Sequence, residues 1–213
     1  MKYKVPILSA ILIVSILSYQ INWFNYLLIL TIVLDIIYLI LLGFISIFKK
    51  LNKFNYIISL TIAYICFIGV IVSFFRPYNN PTINNSNTSK NLEYAYNTDQ
   101  NDRKELRSFI FYFNDKLEKR DSLRLIQVRN YYNQNEISKP IDKFHAAFIF
   151  HHSDNKTDYK IASQLAEKAA NAESLKDEYV VQWLKRASYD RYMLSIGKPE
   201  KYDTQDKFSI DIN

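Results

Sequence analysis

The N-terminal third of the chain is almost entirely apolar, and this feature constrains the fold more than any other. Polar residues interrupt the apolar stretch only near Gln20 and near Lys49. Three apolar runs result, over residues 5–19, 23–48 and 54–75. A bilayer core of about 30 Å is crossed by roughly 20 helical residues. Because three such runs in succession leave no polar face to meet water, we predict a three-helix transmembrane anchor over residues 1–76.

The first run is slightly short for a span. It reaches full length only if residues 20–22 lie in the headgroup region. Lys2 and Lys4 also resemble the positive region of a signal peptide, but no small-x-small cleavage site follows. We therefore expect this run to remain as the first span.

The placement of basic residues predicts the orientation of the anchor. Basic residues flank the runs at the N-terminus, in the second connection and after the third run: Lys2, Lys4, Lys49, Lys50, Lys53 and Arg76. The first connection carries no charge. Since cytoplasmic loops carry the excess of Lys and Arg, the N-terminus is expected to be cytoplasmic and the chain after Arg76 extracytoplasmic. The expected location is the inner (cytoplasmic) membrane of a bacterium, because the polar part lacks cysteine.

Asp35 lies in the middle of the second run. A carboxylate at such a depth marks either a proton or ion relay, or an acid that hydrogen-bonds between helices. The second interpretation is favoured because three helices make a poor transport pathway. Its candidate partners are Thr31, Tyr38, Thr61 and Tyr64.

Charge and composition exclude several functional classes. The net charge is +6, but the apolar third accounts for most of it with five lysines against one aspartate, so no nucleic-acid partner is expected. The single cysteine, Cys66, excludes an intramolecular disulfide and a zinc–thiolate site. The three glycines are too scattered for a phosphate-binding loop. No cofactor is identified, and the expected partners are the lipid bilayer and an unspecified protein.

The polar part divides into a linker and a helical domain, which makes the predicted fold all-α. Residues 77–98 are rich in Asn, lack apolar periodicity and are predicted to be a flexible linker. Residues 99–213 show helical periodicity. The predicted helices cover about 99–117, 121–132 with Asp121 as cap, 141–152, a stretch capped by Thr157 or Asp158, and 175–196. The last two form an αα-hairpin that ends at Gly197.

The first group of candidate site residues lies at the end of the third of these helices. It comprises His151, His152, Ser153 and Asp154, and His145 shares a helix face with His152. Two imidazoles and a carboxylate can bind a metal or transfer protons. The alternative is a helix end stabilised by histidine through the helix dipole. Because no known metal-ligand spacing is present, no metal ligand is assigned.

The second group lies near the C-terminus. Asp190 and Arg191 border the apolar stripe of the last helix, as a buried ion pair or as the wall of a site. The following segment, residues 197–205, offers hydrogen-bonding side chains in an irregular loop or packs as a tail over the helices. Asp121 and Arg124, by contrast, have the spacing of an exposed ion pair.

These two groups together resemble an uncharacterised bacterial domain family. The run HAAFIFHHSD at residues 145–154 is similar to its Q-H-A-D element, which in that family precedes a helix pair, a D-R pair and the segment G-K-P-Q-x-Y-G-T-Q. This chain has Asp190-Arg191 and then GKPEKYDTQ at residues 197–205. It departs from the family at His151 for Gln, Glu200 for Gln and Asp203 for Gly, although Asp tolerates left-handed backbone better than most residues.

The resemblance covers about residues 99–207. It implies no reaction, but it implies that the motif residues converge in space: His152, Asp154, Asp190, Arg191, Tyr202, Thr204 and Gln205.

Two hypotheses about function follow. In the first, the membrane anchor presents a helical binding or interaction domain, and the motif residues, with His151 among the binding candidates, lock the tail onto the helix pair. In the second, the domain is a membrane-anchored hydrolase or metal-assisted enzyme. His152 would be the base, Asp154 or Asp190 would orient it, and Arg191 would bind an anion. The sequence does not decide whether the protein is an enzyme.

Overall fold

The computed structural model describes residues 4–110 and 113–205, and within these ranges the protein is all-α with no strand, as predicted. The described residues form two compact units. The first contains the chain up to Pro77 together with Glu105–Ile110, and the second contains Tyr78–Lys104 and the described residues from Phe113 onward. Each unit has its own packing.

The first unit consists of three apolar helices and one short 3-10 helix. These are α1 (Lys4–Gln20), α2 (Phe24–Phe48), α3 (Lys53–Ser73) and the 3-10 helix Leu106–Phe109. The helices α2 and α3 are long and apolar enough to cross a membrane, whereas α1 belongs to the shorter apolar helices. With 17 residues, α1 is about 25 Å long. Two of the three predicted spans are thus long enough to cross a bilayer, and α1 is shorter than predicted because it ends at Gln20 instead of continuing to residue 22.

Polar groups in this unit lie between helices. Ser59 Oγ on α3 donates a hydrogen bond to Asp35 Oδ1 on α2 at 2.5 Å. Asn25 Nδ2 on α2 donates to Ser73 Oγ on α3 at 3.4 Å. The partner of Asp35 is thus Ser59, which is not among the four residues that the sequence suggested, but the contact is the interhelical hydrogen bond that was favoured for this acid.

Gly69 allows the three helices to approach closely. A Cβ atom at this position would lie 2.6 Å from side-chain atoms of both Val14 on α1 and Leu28 on α2. Arg76 holds the end of α1 beside the end of α3, since its guanidinium donates to the carbonyls of Tyr19 at 2.9 Å and Ile21 at 2.8 Å. The helices α1 and α3 therefore run parallel, and α2 is antiparallel to α3.

The second unit contains five helices arranged around α6. They are α4 (Thr88–Lys104), α5 (Asn114–Asn133), α6 (Pro140–His151), α7 (Lys156–Ala170) and α8 (Tyr179–Ser195). Helix α6 contacts the other four. Residues 144–151 of this helix are all buried, as expected of a central helix, and they include Phe144, Phe148 and Phe150. Its bounds agree with the predicted helix 141–152.

The segment predicted as a flexible linker is largely part of this unit. Residues 88–98 belong to α4, where Leu92 and Ala95 are buried. The preceding residues are bound to α4, since Asn91 Nδ2 donates to the Asn85 carbonyl at 2.8 Å and Thr98 Oγ1 donates to the Pro81 carbonyl at 3.0 Å. The linker prediction is corrected because the inward face of α4 is mostly polar and shows no apolar periodicity.

Three further helix boundaries differ from the prediction. The helix expected over residues 99–117 is divided between α4 and α5, although residues 111–112 lie outside the described ranges. Asp121 is inside α5 and is not a cap. The cap of α7 is Asn155, whose side chain accepts from the backbone N–H of Asp158 at 3.0 Å. At the end of α8, Gly197 has the predicted left-handed conformation with φ of +73°.

Candidate functional site

A network of buried charges joins α4 to α5. Arg124 is fully buried, and its guanidinium donates to Asp121 Oδ1 at 2.8 Å, to Thr98 Oγ1 at 3.2 Å and to Asp102. Arg120 donates to both oxygens of Asp102, at 2.7 and 3.0 Å. The ion pair of Asp121 and Arg124 forms, but the prediction that it is exposed is wrong, because Arg124 is fully buried. A buried arginine of this kind requires acidic partners, and three carboxylates of α4 and α5 supply them.

The same network reaches the predicted site through Asp99. His152 Nδ1 lies 3.1 Å from Asp99 Oδ2, and Arg103 donates to Asp99 Oδ1 at 2.5 Å. Burial raises the pKa of Asp99, but His152, Arg103 and Arg124 outweigh burial and hold the pKa below its ordinary value. Asp99 therefore stays ionised, and it is the carboxylate in contact with His152, in the place for which the sequence suggested Asp154 or Asp190.

His152 and Asp154 line a cleft of about 360 Å³ at the end of α6. The cleft is formed by side chains of α5 and by the end of α6 with the residues that follow it: Glu118, Asp121, Ser122, Leu125, Ile149, His152, Ser153 and Asp154. Ser153 Oγ donates to Asp158 Oδ2 at 2.6 Å, so its proton is committed to the cap region of α7. Three of the eight lining residues are acidic: Asp121 is paired with Arg124 and Arg103, whereas Glu118 and Asp154 are exposed and make their side of the cleft negative.

His151 lies beside His152, with the ring centroids 5.6 Å apart, but in a different environment. Its side chain is buried, and its ring meets Trp183 edge to face at 6.4 Å. Burial, followed by the charges of Arg191, His152 and Arg103, lowers the pKa of His151 well below the usual value, so this imidazole is neutral. His145 stacks on Tyr96 with ring centroids 4.8 Å apart. His151 and His145 thus have packing roles on α6.

Asp190 binds the segment that follows α8. Its two oxygens accept from the backbone N–H of Lys201 at 2.8 Å, of Tyr202 at 3.1 Å and of Thr204 at 3.1 Å, and from Thr204 Oγ1 at 2.8 Å. Burial raises the pKa of Asp190, but the hydrogen bond from Lys201 and those from Thr204 and Tyr202 lower it below the ordinary value. The carboxylate is fully buried, and both of its oxygens are occupied by this segment.

Arg191 connects the same segment to the end of α6. Its Nε donates to Gln205 Oε1 at 2.9 Å and its Nη1 donates to the His151 carbonyl at 2.8 Å. Gln205 Nε2 donates to the Ala187 carbonyl at 3.0 Å. Tyr202 packs edge to face on Tyr189 at 5.8 Å. Arg191 and Gln205 therefore continue the lock that Asp190 begins.

The structure thus divides the predicted site residues into two places. His152 and Asp154 are in the cleft, and five others form the tail lock, a name used here for Asp190, Arg191, Tyr202, Thr204 and Gln205. The ring of His151 packs against Trp183 outside both groups. The two places meet at α6, because Arg191 binds the carbonyl of His151, the residue before His152. Asp203 has φ of +57°, so it adopts the left-handed backbone that glycine favours.

Neither the contact of Asp99 with His152 nor the burial of Arg124 was predicted from the sequence. A signal was present: acidic residues 99 and 102 and basic residues 120 and 124 each lie one helical turn apart on two neighbouring helices. Among the residues that the structure describes, no group of three His, Cys, Asp or Glu side chains is placed to hold a metal ion.

Comparison of the chain with family models, with curated proteins and with solved structures finds no match.

Proposed function

We propose that this is an integral membrane protein whose three N-terminal helices anchor a helical binding domain outside the cytoplasm. The observation that carries the proposal is the exposed apolar surface of the first unit. In an apolar 18-residue stretch of each helix, only 11% is buried in α2 and 28% in α3. A core helix of a soluble protein would be mostly buried, so lipid is the medium that suits these surfaces.

The packing of α1 supports its role as a third span. It runs parallel to α3, meets Gly69 through Val14, and ends where Arg76 binds its last carbonyls. A helix at the same level as two spans lies in the same hydrocarbon layer. Its length of about 25 Å is accommodated by modest thinning of the bilayer.

The lysines support the proposed orientation in the inner membrane of a bacterium. The N-terminal lysines and the connection between α2 and α3 would be cytoplasmic, and the chain after Arg76 would be outside. Alkaline phosphatase fused after Arg76 is expected to be active, and the same enzyme fused after Lys50 to be inactive. An N-terminal epitope tag is expected to resist protease in intact spheroplasts. A phosphatase active after Lys50 and inactive after Arg76 contradicts the orientation.

The binding role is assigned to the cleft at His152. In the tail lock, the polar atoms of Asp190 are occupied by the protein itself, whereas Asp154 and Glu118 are exposed at the cleft. These carboxylates favour a neutral or cationic ligand or the basic surface of a protein partner. Small neutral and cationic compounds are screened for an increase in the melting temperature. A compound that stabilises wild type through the cleft is expected not to stabilise Asp154→Lys, but still to stabilise Asp177→Lys, an exposed control. A compound that also stabilises Asp154→Lys does not bind in the cleft.

If the protein is an enzyme, its catalytic residues differ from those predicted from the sequence. Asp190 and Arg191 are engaged in the tail lock, which supports the first of the two hypotheses for these residues. The observation that favours an enzyme is the contact between His152 and Asp99 beside the cleft. The proposed relationship to the uncharacterised bacterial family is supported by the convergence of Asp190, Thr204 and Gln205, and it carries no reaction.

A further inference from the structure

The contact between Asp99 and His152 has the geometry of an oriented base. Asp99 is 1% exposed and lies 3.1 Å from His152 Nδ1, whereas the side chain of His152 is 17% exposed and lines the cleft. One ring nitrogen is therefore held by a buried carboxylate on α4. The imidazole is partly exposed at the cleft.

The charges around Asp99 fix the position of the proton on His152. Arg103 and Gln100 donate to the Asp99 carboxylate at 2.5 and 2.8 Å, which keeps it ionised. An ionised carboxylate only accepts hydrogen bonds, so Nδ1 of His152 carries the proton. In the neutral imidazole the lone pair then lies on Nε2, the nitrogen that is not bound to Asp99.

We propose that His152 and Asp99 form a general-base pair that hydrolyses an uncharged or cationic carboxylic ester in this cleft. His152 Nε2 takes a proton from a water molecule as the water oxygen bonds to the acyl carbon. The bond between that carbon and the leaving oxygen then breaks, and the leaving oxygen receives the proton from Nε2. The products are a carboxylic acid and an alcohol. His152 is the catalytic residue, and Asp99 is a positioning residue.

Water is assigned as the nucleophile because both serine hydroxyls that line the cleft donate elsewhere. Ser153 Oγ donates to Asp158 Oδ2, and Ser122 Oγ donates to the Glu118 carbonyl. The charge of the substrate follows from the walls of the cleft. Asp121 is paired with Arg124 and Arg103, but the exposed carboxylates of Glu118 and Asp154 also line the cleft, so an anionic ester is repelled.

The inference deepens the proposed function, because it rests on the cleft being the binding site. It does not depend on the orientation of the anchor. A failure of the orientation would appear in the reporter fusions, and a failure of cleft binding would appear in the thermal-shift screen. The hydrolysis assay uses purified full-length protein in detergent and is independent of both.

The test compares three p-nitrophenyl esters with neutral, trimethylammonium and carboxylate acyl chains. Wild type is expected to hydrolyse the first two and not the third. His152→Gln keeps a donor toward Asp99 but has no titratable nitrogen, and its rate is expected to fall by at least tenfold, since general-base catalysis contributes about 10²–10⁴-fold. His145→Gln removes a histidine of the same helix that stacks on Tyr96, and its rate is expected to stay within twofold.

Modification of the wild-type protein gives the same test without a substitution. Diethylpyrocarbonate is expected to modify His152 before the buried His145 and His151 and to abolish hydrolysis. Treatment with hydroxylamine, followed by dialysis, is expected to restore the activity. The proposal is overturned if wild type hydrolyses neither the neutral nor the cationic ester. It is also overturned if His152→Gln loses less than tenfold, or if the anionic ester is preferred.

The role of Asp99 is tested separately, by the tautomer of His152 and by the kinetic constants of Asp99→Asn. In Asp99→Asn the ¹⁵N spectrum of His152 is expected to change from the tautomer protonated on Nδ1 toward a mixture, while kcat falls by about 10-fold or more and KM changes little. An unchanged tautomer with an unchanged kcat removes Asp99 from the pair.

Discussion

The carboxylate of Asp190 is expected to hold the whole segment from Lys201 to Gln205 on α8. Replacing Asp190 with Asn keeps the volume and one acceptor oxygen but substitutes an NH₂ donor for the oxygen that accepts from Thr204. Two hydrogen bonds from Thr204 are then lost, and the remaining ones are no longer assisted by charge. The segment is at the surface, so water can solvate its N–H groups once it detaches.

The magnitude follows from the hydrogen bonds that are lost. A hydrogen bond to a charged group contributes about 1.5–3 kcal/mol, but solvation of the released segment recovers part of this for two bonds, which leaves roughly 2–4 kcal/mol. A loss of about 2 kcal/mol corresponds to an approximately 30-fold larger open population of the segment.

Hydrogen exchange measured by NMR on the full-length protein in detergent micelles tests this prediction. The amides of Lys201, Tyr202 and Thr204 are expected to exchange at least tenfold faster in Asp190→Asn, while amides in the middle of α6 stay protected. Asp177→Asn, an exposed acid on the same chain, is the matched control and is expected to change nothing. Unchanged exchange at all three amides in Asp190→Asn would refute the reasoning.

Three further predictions follow from other parts of the structure. Gly69→Leu is expected to lower the melting temperature of the detergent-solubilised protein, because its Cβ would meet side chains at 2.6 Å, while Gly43→Leu, with nothing within 4 Å, is tolerated; equal effects would contradict the packing. Arg124→Met removes charged hydrogen bonds to Asp102 and Asp121, which retain Arg120 and Arg103 as partners, and is expected to cost about 3–5 kcal/mol in urea unfolding, against less than about 0.5 kcal/mol for the exposed Lys119→Met. The lowered pKa of Asp99 contributes stability that is present above its ordinary value of 3.8 and is lost as the pH falls through the lower folded value. In Asp99→Asn, the free energy of unfolding is therefore expected to fall less steeply at acid pH than in wild type. An unchanged acid dependence would contradict this.

The sequence predicted those elements whose signal is local. Helix α6 follows from Pro140 at its start and from the helical spacing of Phe144, Ala147 and Phe148, and the end of α8 follows from Gly197. Helix α4 could not be found in this way, because its inward residues are Asn91, Thr98, Asp99 and Asp102. Their partners are distant in the chain: Asp102 binds arginines 18 and 22 positions later, and Asn91 binds Tyr131 40 positions later. Apolar periodicity contains no information about such pairs.

The candidate site shows the same division between local and distant information. The tail lock joins residues 190 to 205, so the resemblance of a short motif was enough to suggest that they converge. The partner of His152 is Asp99, which is 53 positions earlier in a segment next to the predicted linker. No spacing rule connects the two, and only the packing of α4 against α6 brings them together.

The end of α6 explains how two adjacent histidines acquire different chemistry. The two rings lie 5.6 Å apart, but His151 is the last residue of α6 and His152 is its C-cap, so their other neighbours differ. His151 points to Trp183 and is neutral without an acidic partner, and its carbonyl holds Arg191. His152 points to Asp99 and the cleft. The tail lock therefore fixes the backbone from which His152 projects, and loosening the lock should disturb the orientation of His152 without touching its side chain. In Asp190→Asn, the ¹⁵N signals of His152 are expected to shift while those of His145 remain, and identical His152 signals would show that the lock and the cleft are independent.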